Sequence, residues 1–240
     1  IRRQRQMCIR DRAMTGRRTL CVTLPIHQAQ AQVDRAGEHV RRLTERYSNA
    51  EAAHADLTAA YDAFAGSFAP SLVQGAGKGV ADLAGANARS RLRMTALYYF
   101  AGLNNLLVAG TGNKIEDFGV GFFTKYGDGG VDISPIADLT KTEVYELGRW
   151  LRVPEAILVA PPTDGLFGDD RTDEQQIGAT YPELERAMAH AERGTDPALL
   201  SGREREVYDI FLRRNRANRH KMEPIPVCRI PRYLVEPAGR

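Results

Sequence analysis

A short apolar run, Leu106–Gly110 (LLVAG), feeds directly into GTGNKIEDFGVGFFTKYGDGGVDISPIADLTK, Gly110–Lys141, where glycines, acids and lysines stop any helix or strand from running through. A buried strand that ends in Gly110-Thr111-Gly112 is the pattern of an open α/β sheet, whose ligands bind beyond the carboxyl ends of its strands. The flanking sequence repeats the alternation. Thr19–Ile26 (TLCVTLPI) reads as a buried strand, and Asp34–Tyr47 as a helix with Val33, Val40 and Leu43 on one face. A second strand is expected near His54–Leu57, with a helix behind Thr58. Phe68–Asn87, rich in Gly and Ala, reads as loop plus a weak helix. Asn87 is expected to cap a strong helix with an apolar stripe of Leu92, Ala96, Tyr99 and Leu103. Thr140 caps another helix, KTEVYELGRWL, closed by Pro154, and the remainder is helical and polar. Trp150 and the run Tyr98-Tyr99-Phe100 read as core. Strands alternating with helices give the expected fold: α/β, a doubly wound parallel sheet with helices on both faces, Rossmann-like.

At 240 residues the chain suits one such domain. The first twelve residues, IRRQRQMCIRDR, need separate treatment. Gln6–Arg12 resembles a translated sequencing-adapter end, so residues 1–12 are expected to be an assembly artefact or a disordered basic tail, with residues 13–240 forming the single domain. Those twelve hold five Arg and one Asp; taking their +4 from the chain's +3 leaves about −1. The basic balance is therefore no argument for nucleic acid. No unbroken apolar run of about 18 residues suggests a membrane span, and the arginine-rich start lacks the apolar centre of a secretory signal. Cys21 and Cys228 are far apart and no CxxC pair occurs, which fits a reducing, cytoplasmic setting and neither a disulfide framework nor a zinc site.

The glycine-rich stretch concentrates the candidate chemistry. Thr111 offers a hydroxyl and an amide at the strand end. Glu116 can hold a divalent ion, Lys125 sits in a turn where backbone can approach an anion, and Asp132 follows. Lys141 opens the next helix, a position that opposes the helix dipole and so asks for a functional reason. Two lysines, a metal-capable acid and small turns suit a polyphosphate and its magnesium. Taken singly, each has a plainer reading: a surface turn, a solvated acid, a solvated arginine. Asp169, Asp170 and Asp173 read as a polar lid loop and helix cap, and His27, His39, His54 and His190 receive no role.

Together, GTGNKIEDFGVGFFTKYGDGGVDISPIADLTKTEVYELGRWL, NARSRLRM, APPTDGLFGDDRTDEQQIG and HKMEPIP resemble the ammonia-dependent NAD synthetases of the ATP pyrophosphatase (adenine nucleotide alpha-hydrolase-like) group, over roughly residues 17 to 235. The resemblance implies adenylation of the nicotinate carboxylate of deamido-NAD by ATP, then attack by ammonia to give NAD and AMP. It implies ATP contacts at Thr111, Thr163 and Lys141, with Lys141 on the phosphates, and a magnesium ligand at Glu116. It implies deamido-NAD contacts at Arg91, Lys125, Asp132, His220 and Lys221, and a homodimer with the helix of Arg91 near the interface. Lysine and magnesium have most to offer where charge gathers on phosphate, and no side-chain nucleophile is needed because ammonia attacks the activated carbonyl. One departure stands out. The family's first strand ends in an SGGxDS-type loop around the pyrophosphate, and no such stretch exists in this sequence. The expectation is a synthetase without its first strand and phosphate loop, unable on its own to make NAD, with a sheet edge exposed. Other readings remain open: a glutamine-dependent synthetase, a related adenylating enzyme such as a GMP synthetase or thiolating tRNA enzyme, and a non-catalytic nucleotide-binding protein.

Overall fold

The computed structural model describes residues 16–69, 71, 75, 77–160 and 172–231. The expectations for residues 1–12, Thr163, Asp169 and Asp170 lie outside them. Strand β1 (Thr19–Thr23) pairs in parallel with β2 (Ala50–His54), in register from Thr19 opposite Ala50 to Thr23 opposite His54. Helix α1 (Gln30–Arg46) joins them and packs on both, making one βαβ unit. Its buried positions are Ala36, His39 and Leu43, while Arg41 and Arg42 pair with Glu38 on the solvated side. The second strand therefore starts earlier than expected. AEAAH has little β propensity of its own, and the ladder to β1 decides its conformation.

Helix α2 (Thr58–Gly66) begins where Thr58 suggested. Helix α3 runs from Lys78 to Asn104, so Asn87 lies inside it rather than capping it. Asn87 instead accepts a 2.7 Å hydrogen bond from the Thr124 hydroxyl. The expected apolar stripe of α3 is also displaced: Tyr99 and Leu103 are each 66% exposed, and the buried face is Ala86, Ser90, Arg93 and Ala101. The reason is polar. Arg93 lays its guanidinium over the end of β1, donating to the Leu24 carbonyl at 2.8 Å and to Gln28 at 3.1 Å. The side that faces the sheet is thus marked by an arginine and small residues rather than by large apolar ones. Trp150, 73% exposed, is not core either, and Tyr98 is exposed with Tyr99.

The LLVAG run pairs over a single parallel bridge, Ala109 with Ile133, with the amide of Gly110 on the Ile133 carbonyl at 2.6 Å. Val108 is buried, whereas Leu107 faces outward. Helix α4 (Lys141–Trp150) starts at a capping box in which Thr140 and Glu143 bond each other's amides. It builds a small core with the short helix α5 (Glu155–Leu158) through Val144, Leu151, Val153 and Ile157. The larger core lies among α6 (Asp173–Ile177), α7 (Tyr181–Glu192) and α8 (Gly202–Met222), around Ile115, Val120, Tyr181, Leu184 and Phe211. A π-helical turn, Lys114–Val120, inserts between this core and the end of the LLVAG run. The class is α/β with a parallel sheet, as expected, with the glycine-rich stretch held between strand ends and the helical layer.

Candidate functional site

Two clusters form the site, both supplied by the stretch after Gly110. The first is buried. Asn113 caps the π-helical turn, its side-chain oxygen accepting from the amides of Ile115 and Glu116 at 2.9 Å each. Widened π turns recur at functional sites because they swing one side chain out of the α-helical position. Here Glu116 is carried inward and meets Lys141, the first residue of α4, with Nζ to Oε1 at 2.7 Å and side chains 0% and 3% exposed. Lys141 does not oppose the helix dipole unaided, since a carboxylate compensates it. The Tyr181 hydroxyl sits 2.7 Å from the same Oε1 and 3.2 Å from Oδ2 of Asp173, and the Tyr181 ring lies 4.4 Å beneath the ammonium. Two carboxylates thus share one hydroxyl, and one of them also holds the ammonium. Asp173 is not a solvated lid or cap: Thr172 caps α6, and Asp173 is buried in this network.

The second cluster is open. Gly121, Phe123 and the YGDGG turn wrap the C-terminal end of α8. Lys221 donates to the carbonyls of Gly121 and Phe123, both at 2.9 Å, and its burial lowers its pKa, with Asp128 working in the other direction. Lys125 donates to the His220 carbonyl, and Arg91 reaches from α3 to the Lys125 carbonyl at 3.2 Å. Ser90 ties the turn to α3, donating to Asp128 at 2.9 Å while accepting from the Asp128 amide at 3.0 Å. A pocket of about 160 Å³ lies in the middle, lined by Gly110, Gly112, Asp117, Phe123, Asp128 and Lys221 among others. A Cβ at Gly112 would stand 1.8 Å from the Asp117 carboxylate and would push that side chain aside.

The fold therefore brings Glu116 to Lys141, and gathers Arg91, Lys125, His220 and Lys221 around one turn. His220 enters through its carbonyl, its side chain being exposed. Thr111 is half-buried between the two pocket glycines. Asp132 serves the backbone, accepting from the Val108 amide at 2.7 Å and the Tyr98 hydroxyl at 3.0 Å. Sequence reasoning missed Tyr181, Asp128, Ser90 and Asn113. For Asp128 the signal was present in its glycine-flanked position, but Tyr181 looks like any residue following a cap.

A family model described as NAD synthase matches residues 6–225. An NH(3)-dependent NAD(+) synthetase of Carboxydothermus hydrogenoformans is 45% identical over 139 residues, 58% of this chain and 52% of that protein. One from Archaeoglobus fulgidus is 43% identical over 155 residues, 65% of this chain and 59% of that protein. The chain thus spans about half the length of the curated relatives it matches. Among solved structures, one titled NMN synthetase, from Francisella tularensis, superposes with a TM-score of 0.77 at 29% identity, covering 94% of this chain and 84% of that one. With a family match running almost from end to end and a neighbour of the same architecture, the chain belongs to the NAD synthase family.

Proposed function

We propose that this chain serves the ATP-dependent amidation of deamido-NAD to NAD, with ammonia as nitrogen donor. The observation that carries the reading is the buried Glu116–Lys141 pair, whose chain neighbour Asp117 lines an open pocket together with glycines and Lys221. In the reaction the nicotinate carboxylate attacks the α-phosphorus of ATP and pyrophosphate leaves. Ammonia then attacks the acyl adenylate, AMP leaves, and a proton is released. Lys141 would draw charge from the phosphate oxygens as pyrophosphate departs, which stabilises the transition state more than the ground state. The YGDGG turn, with Lys125, Arg91 and Lys221, would hold the dinucleotide so that its carboxylate faces the phosphate, and Thr111 would meet the ATP at the strand end. Ammonia needs only a shielded approach, and Asp128 beside Lys221 gives that approach a polar wall.

Magnesium suits the donor set. Among the described residues no group of three or more His, Cys, Asp or Glu side chains could cage a metal. A hard cation held by Glu116 and completed by phosphate oxygens fits that arrangement, since magnesium commonly binds one or two carboxylates plus substrate phosphates. When bound it would neutralise charge on the phosphates. The ammonia-dependent name of the relatives at 43% and 45% identity supports ammonia over glutamine. The remaining parts of the reading are a homodimer, with α3 contributing to the contact, and a cytoplasmic setting. Among the described residues no helix is long and apolar enough to cross a membrane.

Calorimetric titration of deamido-NAD into the chain tests this. Saturable binding, weakened in Lys125→Ala and Lys221→Ala, is the expected result, and heats no larger than dilution would overturn it. The Francisella tularensis neighbour, an NMN synthetase, favours a second reading, NMN synthesis. Tighter binding of the deamidated mononucleotide than of deamido-NAD would select it.

A further inference from the structure

The Tyr181 hydroxyl has one proton and two carboxylate oxygens within reach, Oε1 of Glu116 at 2.7 Å and Oδ2 of Asp173 at 3.2 Å. Its ring is fixed. Tyr181 is 2% exposed, opens α7, and packs in the main core with Ile115, Leu184 and Phe211. The amide of Tyr181 is also held, donating at 2.9 Å to the Glu174 carboxylate of α6. One rigid side chain therefore does two things to the pair above it. Its face holds the Lys141 ammonium at 4.4 Å, a cation–π contact worth most when the cation is desolvated, as this one is. Its hydroxyl holds the Glu116 carboxylate, and can turn to Asp173 without moving the ring when Glu116 is drawn elsewhere.

We propose that Tyr181, braced by Asp173, is a positioning residue that holds Lys141 and Glu116 at the separation needed to receive phosphate and its cation. It touches neither substrate. Without the hydroxyl, the carboxylate loses a charge-assisted hydrogen bond and swings away from the ammonium, and both groups leave their receiving geometry.

The test has one arm that rests on the proposed amidation and one that does not. The independent arm is the acylation rate of each lysine with acetic anhydride, read by mass spectrometry on the full chain. In Tyr181→Phe the rate at Lys141 rises severalfold while Lys78 and Lys114 stay unchanged. An unchanged Lys141 rate, or a rise at all three, overturns the proposal. The dependent arm is calorimetry. Tyr181→Phe weakens magnesium–ATP roughly tenfold, the scale of one charge-assisted hydrogen bond, and leaves deamido-NAD within about twofold. Equal losses for both ligands mean general loosening and overturn the proposal. If the unsubstituted chain binds no magnesium–ATP, the amidation reading falls, and the lysine rates alone decide Tyr181. Asp173→Asn is the second variant: it keeps the ring and hydroxyl, and shows the same selective pattern at smaller size. Were Tyr181→Phe not to fold, normal Lys141 protection in a folded Asp173→Asn would overturn the proposal.

Discussion

Lys141→Met strips the ammonium from a carboxylate that has no exposed surface, and the size of the effect follows from the site. Lys141 and Glu116 are 2.7 Å apart with side chains 3% and 0% exposed, so water cannot replace the lost partner. Removing one member of a buried pair costs about 3–5 kcal/mol. The Tyr181 hydroxyl, 2.7 Å from Glu116, remains to offset about 1 kcal/mol. A net loss of about 3 kcal/mol follows, and in a chain of this size each kcal/mol moves Tm by about 2–4 °C. Thermal unfolding by circular dichroism should therefore drop by roughly 6–12 °C at neutral pH. Glu116→Gln should be milder, since the amide still accepts from Lys141 and Tyr181. The double variant Lys141→Met/Glu116→Gln should recover most of the loss, with a coupling of about 2 kcal/mol across the cycle. A Lys141→Met Tm within about 2 °C of the parent, or losses that add with no coupling, would refute the buried pair.

Three further outcomes follow from the structure. The Arg203 guanidinium, donating at 2.9 Å, and the Thr180 amide hold the Glu183 carboxyl down at about 2. A depressed folded-state value stabilises above the ordinary glutamate range and is lost as pH falls. Glu183→Gln should cost about 1 kcal/mol near pH 7, after screening at the half-exposed Arg203, and progressively less as pH falls toward about 2 in urea titrations. Gly112→Ala would set a Cβ 1.8 Å from the Asp117 carboxylate, and should cost about 1–3 kcal/mol together with pocket binding, read by melting and calorimetry. Trp150→Ala, at a position 73% exposed, should change stability by less than about 0.5 kcal/mol.

What the sequence made legible was the part written in local chemistry. Thr140 announced α4, because a helix cap is read from residues within one turn of each other. The glycines of Gly110–Gly130 marked the pocket because only they permit such close backbone. The face of α3 was misread because Arg93 meets the end of β1 and Ser90 the glycine-rich turn, through partners, Leu24 and Asp128, that are distant in sequence. Trp150 and Tyr99 misled for the converse reason, since large apolar residues can be solvent-facing. Tyr181 was invisible as a site residue, and Asp173 was read as part of a lid loop and helix cap. Their partner Glu116 is brought to them by packing, and no spacing rule links 116 to 173 or 181.

The pair Glu116–Lys141 as the receiving end for phosphate and metal is the central claim, and a crystal of this chain grown with manganese and a non-hydrolysable ATP analogue tests it most directly. The expected result is an anomalous manganese peak on the Glu116 carboxylate, with the Lys141 ammonium turned from Glu116 to a phosphate oxygen and the Tyr181 hydroxyl on Asp173. A nucleotide bound elsewhere, with the 2.7 Å pair intact and no metal at Glu116, would contradict it.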